Sequence, residues 1–157
     1  MSLYWQEQHY QALKSARSYN DLSAIALDIL GAMPQPVGEV CGPISSGGRS
    51  IEENLAVFSK VNDKLTREGK YIVDLVPFEI AMRAMKRESG LSHIEANLAL
   101  LEGFYLPIFK SGKVSELYFI PGWQASHGAS WERDRALEFN IKIIDLSEEW
   151  MREIWKK

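Results

Sequence analysis

Apolar residues in the first 33 positions recur with the spacing of two helices. One apolar stripe runs through Leu3–Arg17, and the segment Tyr19–Asp21 then interrupts it with residues suited to a helix N-cap. The second stripe ends at Gly31 and Pro34. It consists of Leu22, Ile25, Ala26, Ile29 and Leu30. We interpret this second stripe as a face that packs into the core or against a second copy of the chain.

From residue 36 onward, short apolar segments alternate with helical patterns. The predicted strands are Val37–Cys41, Tyr71–Val76, Leu117–Ile120 and Ile141–Ile144. The predicted helices are the segment between Ser50 and Gly69, then Phe78–Arg87, His93–Phe109, Ser126–Phe139 and Ser147–Trp155. Strands that are apolar throughout and alternate with helices are typical of a parallel sheet covered on both faces. We therefore predict an α/β domain over residues 36–157, preceded by an N-terminal helical extension over residues 1–35.

The composition narrows the classes of partner. The chain has 157 residues, enough for one compact domain with a small appendage. Its 18 Lys and Arg residues against 21 Asp and Glu give a net charge of −3, so a nucleic-acid polymer is not expected as the main partner. The single cysteine, Cys41, excludes an internal disulfide framework and a cysteine-rich zinc site. The polar N-terminus and the lack of a long apolar segment predict a cytoplasmic protein with no membrane partner.

Ligands of parallel α/β sheets bind beyond the carboxyl ends of the strands, and this rule selects two loops. The first loop, Gly42–Arg49, joins a strand to a helix that begins with a capping box formed by Ser50 and Glu53. Its glycines let the backbone approach a ligand, and its N–H groups, the helix N-terminus and Arg49 favour an anion. The loop matches neither of the common nucleotide-binding motifs. The alternative is a flexible turn with a solvated arginine.

The second loop, Pro121–Glu132, follows the third predicted strand and contains two glycines, two serines and a histidine. We place Glu132 in the first turn of the next helix, where the helix N-terminus favours the anion and lowers the pKa of a carboxyl group. An ionised carboxylate at the mouth of a sheet can act as a nucleophile or stabilise positive charge on carbon. The alternative is structural, because acidic residues suit first turns for the same electrostatic reason.

Three further side chains of this loop have open interpretations. Trp123 and Trp131 can stack on a planar base or pack within the protein. His127 is far in sequence from His9 and His93, and the chain has no metal-binding histidine spacing. We therefore expect His127 to bond to the backbone or to line a pocket, and we expect no metal site.

The two loops together resemble the nucleoside 2-deoxyribosyltransferase-like superfamily. The resemblance rests on Cys41-Gly42-Pro43-Ile44, Gly47-Gly48-Arg49 and, downstream, Ser126-x-Gly128-x-x-x-Glu132. One similar branch is the deoxynucleoside 5′-monophosphate N-glycosidases, in which a Cys-Gly is also followed by a Gly-Gly-Arg run. The other is a bacterial and phage branch with a Pro-Gly-Trp ahead of the Ser-x-Gly-Ala segment. The similarity covers the chain from Val37 to Leu146.

This resemblance implies a flavodoxin- or Rossmann-like, three-layer α/β/α fold with a parallel sheet of about four to five strands. It also implies cleavage or exchange of the N-glycosidic bond of a nucleoside or nucleoside 5′-monophosphate, with Glu132 as the catalytic nucleophile and a covalent deoxyribosyl intermediate. In the superfamily, the counterparts of Ser126 and Gly128 bind the 5′ end, and the first loop surrounds sugar and base. The predicted substrate-binding residues are Gly42, Ile44, Ser46, Gly47, Gly48, Arg49, Trp123, Ser126 and Gly128. No cofactor or metal is implied, and a homo-oligomer, a dimer or larger, is expected.

Two alternatives to an enzyme stay open. The first is a catalytically silent nucleotide-binding module of the same fold, because the superfamily's acidic residue on the helix before the third strand has no clear counterpart. Glu102 and Tyr105 lie in that helix. The charged segment Arg133–Arg135 also replaces small apolar residues, and its charges can alter helix packing or pair across an oligomer interface. The second alternative is a structural role in which the N-terminal helices dock another protein or a second copy. We also expect the aromatic N-terminus to be exposed, which is compatible with a homo-oligomer.

Overall fold

The computed structural model describes residues 4–44 and 47–156 and has an α/β fold built on a parallel sheet. The strands are β1 (Val37–Cys41), β2 (Tyr71–Ile72), β3 (Glu116–Phe119) and β4 (Lys142–Asp145). The helices are α1 (Glu7–Ser15), α2 (Tyr19–Gly31), α3 (Ile51–Arg67), α4 (Glu79–Glu88), α5 (His93–Leu100), α6 (Leu106–Lys110), α7 (His127–Phe139) and α8 (Glu148–Trp155). Two 3-10 turns, Val76–Phe78 and Trp123–Ala125, and a π-helical segment, Leu101–Tyr105, link some of them. Within the described ranges, no helix combines the length and the apolar character that a bilayer crossing requires.

The strand order β2-β1-β3-β4 places the topological switch point between the two central strands. β1 pairs in parallel with both β2 and β3, and Cys41 lies opposite Phe119 at the carboxyl ends of the central pair. The chain leaves β1 toward one edge of the sheet and leaves β3 toward the other. The loops after these strands therefore diverge and leave a crevice, which is where folds of this class bind ligands.

Helices cover both faces of the sheet and make three layers. On one face, α2, α4, α7 and the region from α5 to α6 pack around Cys41 and Phe119. On the other face, α3 and α8 pack around Val40 and Tyr118. Successive strand residues point to opposite faces, and both faces of the two central strands are covered, which explains why most of their residues are apolar. The predicted three-layer α/β/α architecture is confirmed, with four parallel strands in the described part of the chain.

The N-terminal helices belong to the same hydrophobic cluster as one face of the sheet. Trp5, just before α1, is only 4% exposed, and its ring centroid lies 5.0 Å from that of Phe78. Its indole N–H donates a 2.8 Å hydrogen bond to the Asp74 carbonyl. The apolar stripe of α2 is buried too, including Leu22 and Ile29. This stripe therefore packs into the core, and the expectation of an exposed aromatic N-terminus is wrong for Trp5, because its ring fills space beside Phe78.

The second strand is much shorter than predicted. The sequence predicts a strand over Tyr71–Val76, but β2 contains only the first two of these residues. Asp74 ends the extended segment because its side chain accepts the N–H of Val76 at 3.1 Å. Pro77 has no N–H to add to a strand ladder and lies in the 3-10 turn that follows. Because α4 begins directly after this turn, Glu79 is the first residue of that helix.

The long helix predicted over His93–Phe109 contains a local change of helical pitch. A π-helical segment, Leu101–Tyr105, joins α5 to α6. Pro107 has no N–H, and in a regular helix its ring clashes with the carbonyl four residues earlier, so a wider turn is the less strained solution. Gly103 lies in this segment against Tyr19, where a Cβ atom would come within 2.8 Å of the tyrosine Cβ. The segment is therefore held close to the start of α2.

The charges that follow Glu132 interact within the chain. The Arg133 guanidinium donates two hydrogen bonds, of 2.8 and 3.0 Å, to the carboxylate of Asp145 at the end of β4. Arg135 lies over the ring of Trp131, 5.4 Å from its centroid. Arg133 thus ties α7 to the sheet, whereas Arg135 contacts Trp131 and Glu138 of its own helix, so both arginines have partners within the chain.

Candidate active site

A cavity of about 280 Å³ opens at the carboxyl ends of β1 and β3, and we name it the β1–β3 cavity. Gly42 and Ile44 line it after β1, and Ser126, Gly128 and Glu132 line it after β3. Its volume is near the lower end of the usual range for small-molecule sites, about 300–1,000 Å³. A second groove, of about 460 Å³ beside β2, contains none of these residues. Five predicted site residues from two distant parts of the chain thus meet in one cavity.

The remaining residues of the first loop point elsewhere. Gly47 and Gly48 have φ angles of 82° and 81°, a region that favours glycine, and both are exposed. The Arg49 guanidinium stacks on the ring of Trp155 in α8, 4.4 Å from its centroid. These three predicted residues do not line the β1–β3 cavity. Ser46, also predicted, lies outside the described residues.

The two tryptophans of the second loop have packing partners. The ring centroid of Trp123 lies 5.6 Å from that of Phe119, and the Arg133 guanidinium covers it at 4.3 Å. Trp131 stacks on Phe109 with centroids 6.1 Å apart. Neither tryptophan lines the β1–β3 cavity, so packing within the protein accounts for both.

The N-terminus of α7 forms one wall of the cavity. Ser126 is the N-cap residue, and its Oγ accepts the N–H of Ala129 at 3.1 Å. The hydroxyl keeps its own hydrogen for donation to a ligand. His127 and Gly128, the first two helical residues, line the cavity beside it. Helix N-termini present N–H groups and partial positive charge, so this wall suits an anionic or strongly polar group.

Glu132 is not where the sequence pattern placed it within α7. The helix begins at His127, so Glu132 is its sixth residue and lies in the second turn. Its side chain is buried at the edge of the cavity, only 8% exposed. Burial raises the pKa of Glu132, whereas a first-turn position predicted a lower one. That prediction is wrong because the favourable field of a helix N-terminus fades within one turn and loss of water contact dominates.

Behind Glu132 lies a second buried carboxyl group that the sequence analysis overlooked. Glu39 on β1 points to the same face as Cys41, and its side chain hydrogen bonds to that of Glu132. The Cys41 Sγ lies 3.4 Å from the Glu132 Oε2 and 3.7 Å from the Glu39 Oε2. The sequence does contain a signal that marks Glu39 as a candidate site residue, since it is an acidic residue in a strand that is otherwise apolar. A charged residue there is rare unless it is paired.

Among the described residues, these three are also the group whose spacing would allow them to hold a metal ion. Glu39, Cys41 and Glu132 each offer one ligand atom, and these atoms lie within 4.8 Å of one another. A proton shared between the two carboxyl groups, with the thiol as a further donor, accounts for this spacing without an ion. Burial and the neighbouring carboxyl groups raise the pKa of Cys41 far above its usual range, so its thiol keeps its proton at neutral pH.

A third carboxyl group enters the cavity from α4. Glu79, Arg83 and Lys86 lie on one face of this helix and all line the cavity. Burial raises the pKa of Glu79 to about 7, although the positive charges of Lys86 and Arg83 oppose the shift. A carboxyl group with this pKa can hold and release a proton near neutral pH. Glu79 could not be singled out from the sequence, because a single Glu at the start of a helix has no distinctive spacing.

The π-helical segment contributes Tyr105 to the cavity, whereas Glu102 is exposed and outside it. Burial, followed by the charges of Glu79 and Glu132, raises the pKa of Tyr105 well above its usual range. Tyr105 is therefore a neutral hydroxyl. Of the two candidates on this helix, only the tyrosine lies at the site, and the acidic group that lines the cavity together with Glu132 is Glu79, from an earlier helix.

No family model, curated protein or solved structure matches this chain. The superfamily proposed from the two loops therefore stays a prediction. The features that bear on function are those of the β1–β3 cavity. Glu132 lines it and is hydrogen-bonded to the buried Glu39 behind it, a helix N-terminus forms one wall, and Glu79 lies on another wall with Arg83 and Lys86.

The raised pKa of Glu79 predicts a specific dependence of stability on pH. In the unfolded chain Glu79 ionises near pH 4.5, but in the folded protein it keeps its proton to about pH 7. The folded state binds more protons between these values, so this residue's contribution to stability falls as pH rises through the window. Glu79→Gln removes the titration. We expect the variant to match wild type at pH 4 and to be more stable by about 1–3 kcal/mol at pH 8.

Urea unfolding of both proteins at pH 4 and pH 8 measures this difference. Glu88→Gln, an exposed glutamate at the end of the same helix, is the matched control and is expected to leave the free energy of unfolding almost unchanged at both pH values. A Glu79→Gln effect of equal size at both pH values contradicts the prediction.

Proposed function

We propose that the protein cleaves or transfers the N-glycosidic bond of a nucleoside or nucleoside 5′-monophosphate through a covalent glycosyl-Glu132 intermediate. The observation that carries the proposal is the position of the Glu132 carboxylate. It lines a cavity of suitable size at the switch point of the sheet, beside a helix N-terminus. This is the expected ligand site of the fold, and a carboxylate there can meet the positive charge that develops on an anomeric carbon.

The reaction proceeds in two displacements. In the first, a carboxylate oxygen of Glu132 forms a bond to C1′ while the bond from C1′ to the base nitrogen breaks, and that electron pair stays on the base. In the second, water or another base attacks C1′ and the ester bond to Glu132 breaks. Two displacements retain the configuration at C1′, as in glycosidases that use a carboxylate nucleophile.

Glu79 is the group suited to protonate the departing base. It lines the same cavity as Glu132 and holds a proton up to a pH of about 7. Proton transfer to the base nitrogen as the bond breaks avoids an anionic leaving group. Glu79 is then ionised, with Lys86 and Arg83 close enough to favour that state, and can take a proton from the incoming water.

The walls of the cavity favour a substrate with a negative charge. The N-terminus of α7 offers the N–H groups of His127 and Gly128 and the Ser126 hydroxyl, while Arg83 and Lys86 supply full positive charges from α4. A 5′-phosphate fits these groups better than a neutral 5′-hydroxyl. Among the substrates proposed, we therefore expect nucleoside 5′-monophosphates to be preferred.

The test is incubation with purine and pyrimidine nucleosides and their 5′-monophosphates, in ribo and deoxy forms, with chromatographic detection of free base. Addition of a second base separates transfer from hydrolysis, because transfer yields a new nucleoside. Release of base from one or more members of the panel supports the proposal. If no member is cleaved at high protein concentration, the enzymatic function is wrong.

A catalytically silent binding module is the second candidate, and one observation favours it. Glu132 is hydrogen-bonded to Glu39 and close to Cys41, which stabilises it in place and makes it a weaker nucleophile than a free carboxylate. A nucleotide that raises the thermal unfolding temperature without release of base identifies this function. A nucleotide that is both bound and cleaved identifies the enzyme.

We also propose that the chain forms a homodimer through α5. This helix has apolar residues on both sides, but only Ala96 is buried within the chain. Ile94 is 77% exposed, and Leu91 and Leu98 are nearly half exposed. Exposed apolar side chains that cluster at one helix are usually covered by a partner, and a two-fold axis brings the same surface of a second copy against them.

Ile94→Glu is expected to convert the dimer into a monomer, because it places two charges in an apolar interface. Size-exclusion chromatography with light scattering measures the mass. Leu137→Glu is the matched control, since Leu137 is 69% exposed on α7 and lies outside the proposed interface, and we expect it to stay dimeric. A monomeric wild-type protein, or loss of the dimer in both variants, contradicts the assignment of α5.

A further inference from the structure

Glu39 is a buried carboxyl group for which the proposed reaction has no use. It is 1% exposed, at the centre of a parallel sheet. Its Oε1 has no hydrogen-bond partner among the described residues, while its other oxygen faces Cys41. A small cavity of about 30 Å³, lined by Glu39, Glu79, Tyr105 and Glu132, connects it to the groups of the β1–β3 cavity. Burial of a carboxyl group costs free energy unless the group is hydrogen-bonded or paired.

The charges around the pair determine its protonation. Within the part of the chain that the structure describes, no Lys, Arg or His forms an ion pair with Glu39 or Glu132. Two buried carboxylates in hydrogen-bond contact repel each other and cannot both ionise near neutral pH, so they share one proton. The environment therefore fixes a neutral carboxyl group next to a carboxylate.

The hydrogen-bond geometry indicates which partner holds the proton. Glu132 faces both Glu39 and the Cys41 thiol, and both can donate to it. Glu39 has an oxygen without any donor, which is a poor environment for a negative charge. Glu132 also borders the larger cavity, where water or a ligand can reach it. A protonated Glu39 beside an ionised Glu132 is thus the arrangement with the fewest unsatisfied charges.

We propose that Glu39 is a positioning residue that holds a proton and donates it as a hydrogen bond to Glu132, so that Glu132 stays a carboxylate in a fixed orientation toward the cavity. The inference rests on the proposed function only for its effect on turnover. The state of the pair itself is independent of any substrate. Glu39 touches neither sugar nor base in this account and acts only through Glu132.

The other titratable groups that face the pair leave this assignment intact. The Cys41 thiol and the Tyr105 hydroxyl are neutral at physiological pH, because burial raises the pKa of each well above its usual range. Glu79 is the third acid, and the charges of Arg83 and Lys86 act on it rather than on Glu39. Ionisation of Glu79 adds a negative charge near the pair and strengthens the retention of the shared proton.

Two substitutions at Glu39 separate a proton donor from a space-filling group. In Glu39→Gln the amide has nearly the same volume and can still donate to Glu132, but it cannot titrate. In Glu39→Leu the volume is similar and no donor remains. If the role is only structural, the two variants behave alike. If Glu39 is a donor, the glutamine variant resembles wild type and the leucine variant does not.

The direct measurement is a carbon NMR titration of protein labelled at the glutamate carboxyl carbon, with Glu132 assigned from the spectrum of Glu132→Gln. We expect Glu39→Leu to raise the pKa of Glu132 by about one unit or more, the size expected for loss of a hydrogen bond to a charged group. We expect Glu39→Gln to change it by less than about half of that. An unchanged Glu132 titration in the leucine variant overturns the inference, whether or not any substrate is cleaved.

The kinetic measurement is the pH profile of kcat/KM with the best substrate of the panel. In Glu39→Leu the acid limb is expected to move up by the same unit or more, so that kcat/KM falls by about tenfold or more at pH values below this limb. The alkaline limb, which reflects Glu79, is expected to stay in place. In Glu39→Gln the acid limb is expected to stay near its wild-type position.

Thermal unfolding confirms that each variant is folded before these comparisons. If the leucine variant does not fold, wild type and Glu39→Gln alone decide the question. A carboxyl titration well above the usual glutamate range, additional to those of Glu79 and Glu132, present in wild type and absent in Glu39→Gln, supports the inference, and its absence from wild type overturns it. If the panel yields no turnover but the NMR titration behaves as expected, the hydrogen bond from Glu39 to Glu132 is supported and the proposed enzymatic function is wrong.

Discussion

Replacement of Glu132 by glutamine is expected to abolish cleavage of the N-glycosidic bond while leaving the fold intact. Glutamine keeps the volume of the side chain and can still hydrogen bond to Glu39, but its amide is a poor nucleophile and carries no negative charge. Removal of a nucleophile typically costs several orders of magnitude, so we expect kcat to fall at least about a thousandfold. The measurement is release of free base under saturating substrate.

Stability and covalent chemistry distinguish this result from misfolding. Glu132 is buried next to another carboxyl group, so its replacement by a neutral amide is not expected to lower the unfolding temperature. Asp134→Asn, an exposed residue two positions later on the same helix, is the matched control and should keep full activity. Intact mass of the acid-quenched enzyme should show an added sugar in wild type and none in Glu132→Gln. Substantial activity in Glu132→Gln means that another group is the nucleophile.

Replacement of Trp5 by alanine is expected to give the largest loss of stability among single substitutions near the N-terminus. The ring of Trp5 is almost fully buried between Tyr10 and Phe78, with centroid distances of 4.9 and 5.0 Å, and its indole N–H bonds to the Asp74 carbonyl. Truncation leaves a cavity and an unpaired acceptor, and comparable substitutions cost about 3–5 kcal/mol. Urea unfolding measures the change.

This stability measurement also bears on the proposed division of the chain at residue 35. If the domain folds without its N-terminal helices, Trp5→Ala should change its free energy of unfolding little. If α1 and α2 share one core with the sheet, the loss should reach the full amount of about 3–5 kcal/mol. Tyr71→Ala is the control, since Tyr71 is an aromatic residue that is 41% exposed on the edge strand, and we expect a loss of about 1 kcal/mol or less. Equal losses of unfolding free energy in Trp5→Ala and Tyr71→Ala would contradict the conclusion that Trp5 belongs to the core.

The sequence pattern was most successful where local chemistry decides the structure. The capping box at Ser50 starts a helix as predicted, because its side chains satisfy helix N–H groups, and the helix predicted from Ser126 begins one residue later with Ser126 as its N-cap. The first strand was predicted to the residue, since its mostly apolar segment ends at Gly42. The predictions failed at the shortened β2 and at the π-helical segment, where the side chain of Asp74 and the ring of Pro107 interrupt elements that the apolar periodicity predicts as continuous.

The candidate site was only partly predictable, for a related reason. Glu132 was found because it closes a recognisable spacing with Ser126 and Gly128. Glu39 and Glu79 were missed because each is a single glutamate with no motif around it. Their chemistry exists only after the sheet and α4 bring them next to Glu132, where loss of water and mutual repulsion change their proton affinities.

For this protein, residue order alone determined the class of fold, the two loops that meet at the switch point and one of the three cavity carboxyl groups. These features follow from periodicity, turn residues and helix capping, which act over a few neighbouring positions. Only the tertiary structure decided that Glu132 lies in the second turn of its helix and shares a proton with Glu39, and that Trp5 lies inside the core. Burial and electrostatic coupling depend on distances between residues far apart in the chain, and no local pattern encodes those distances.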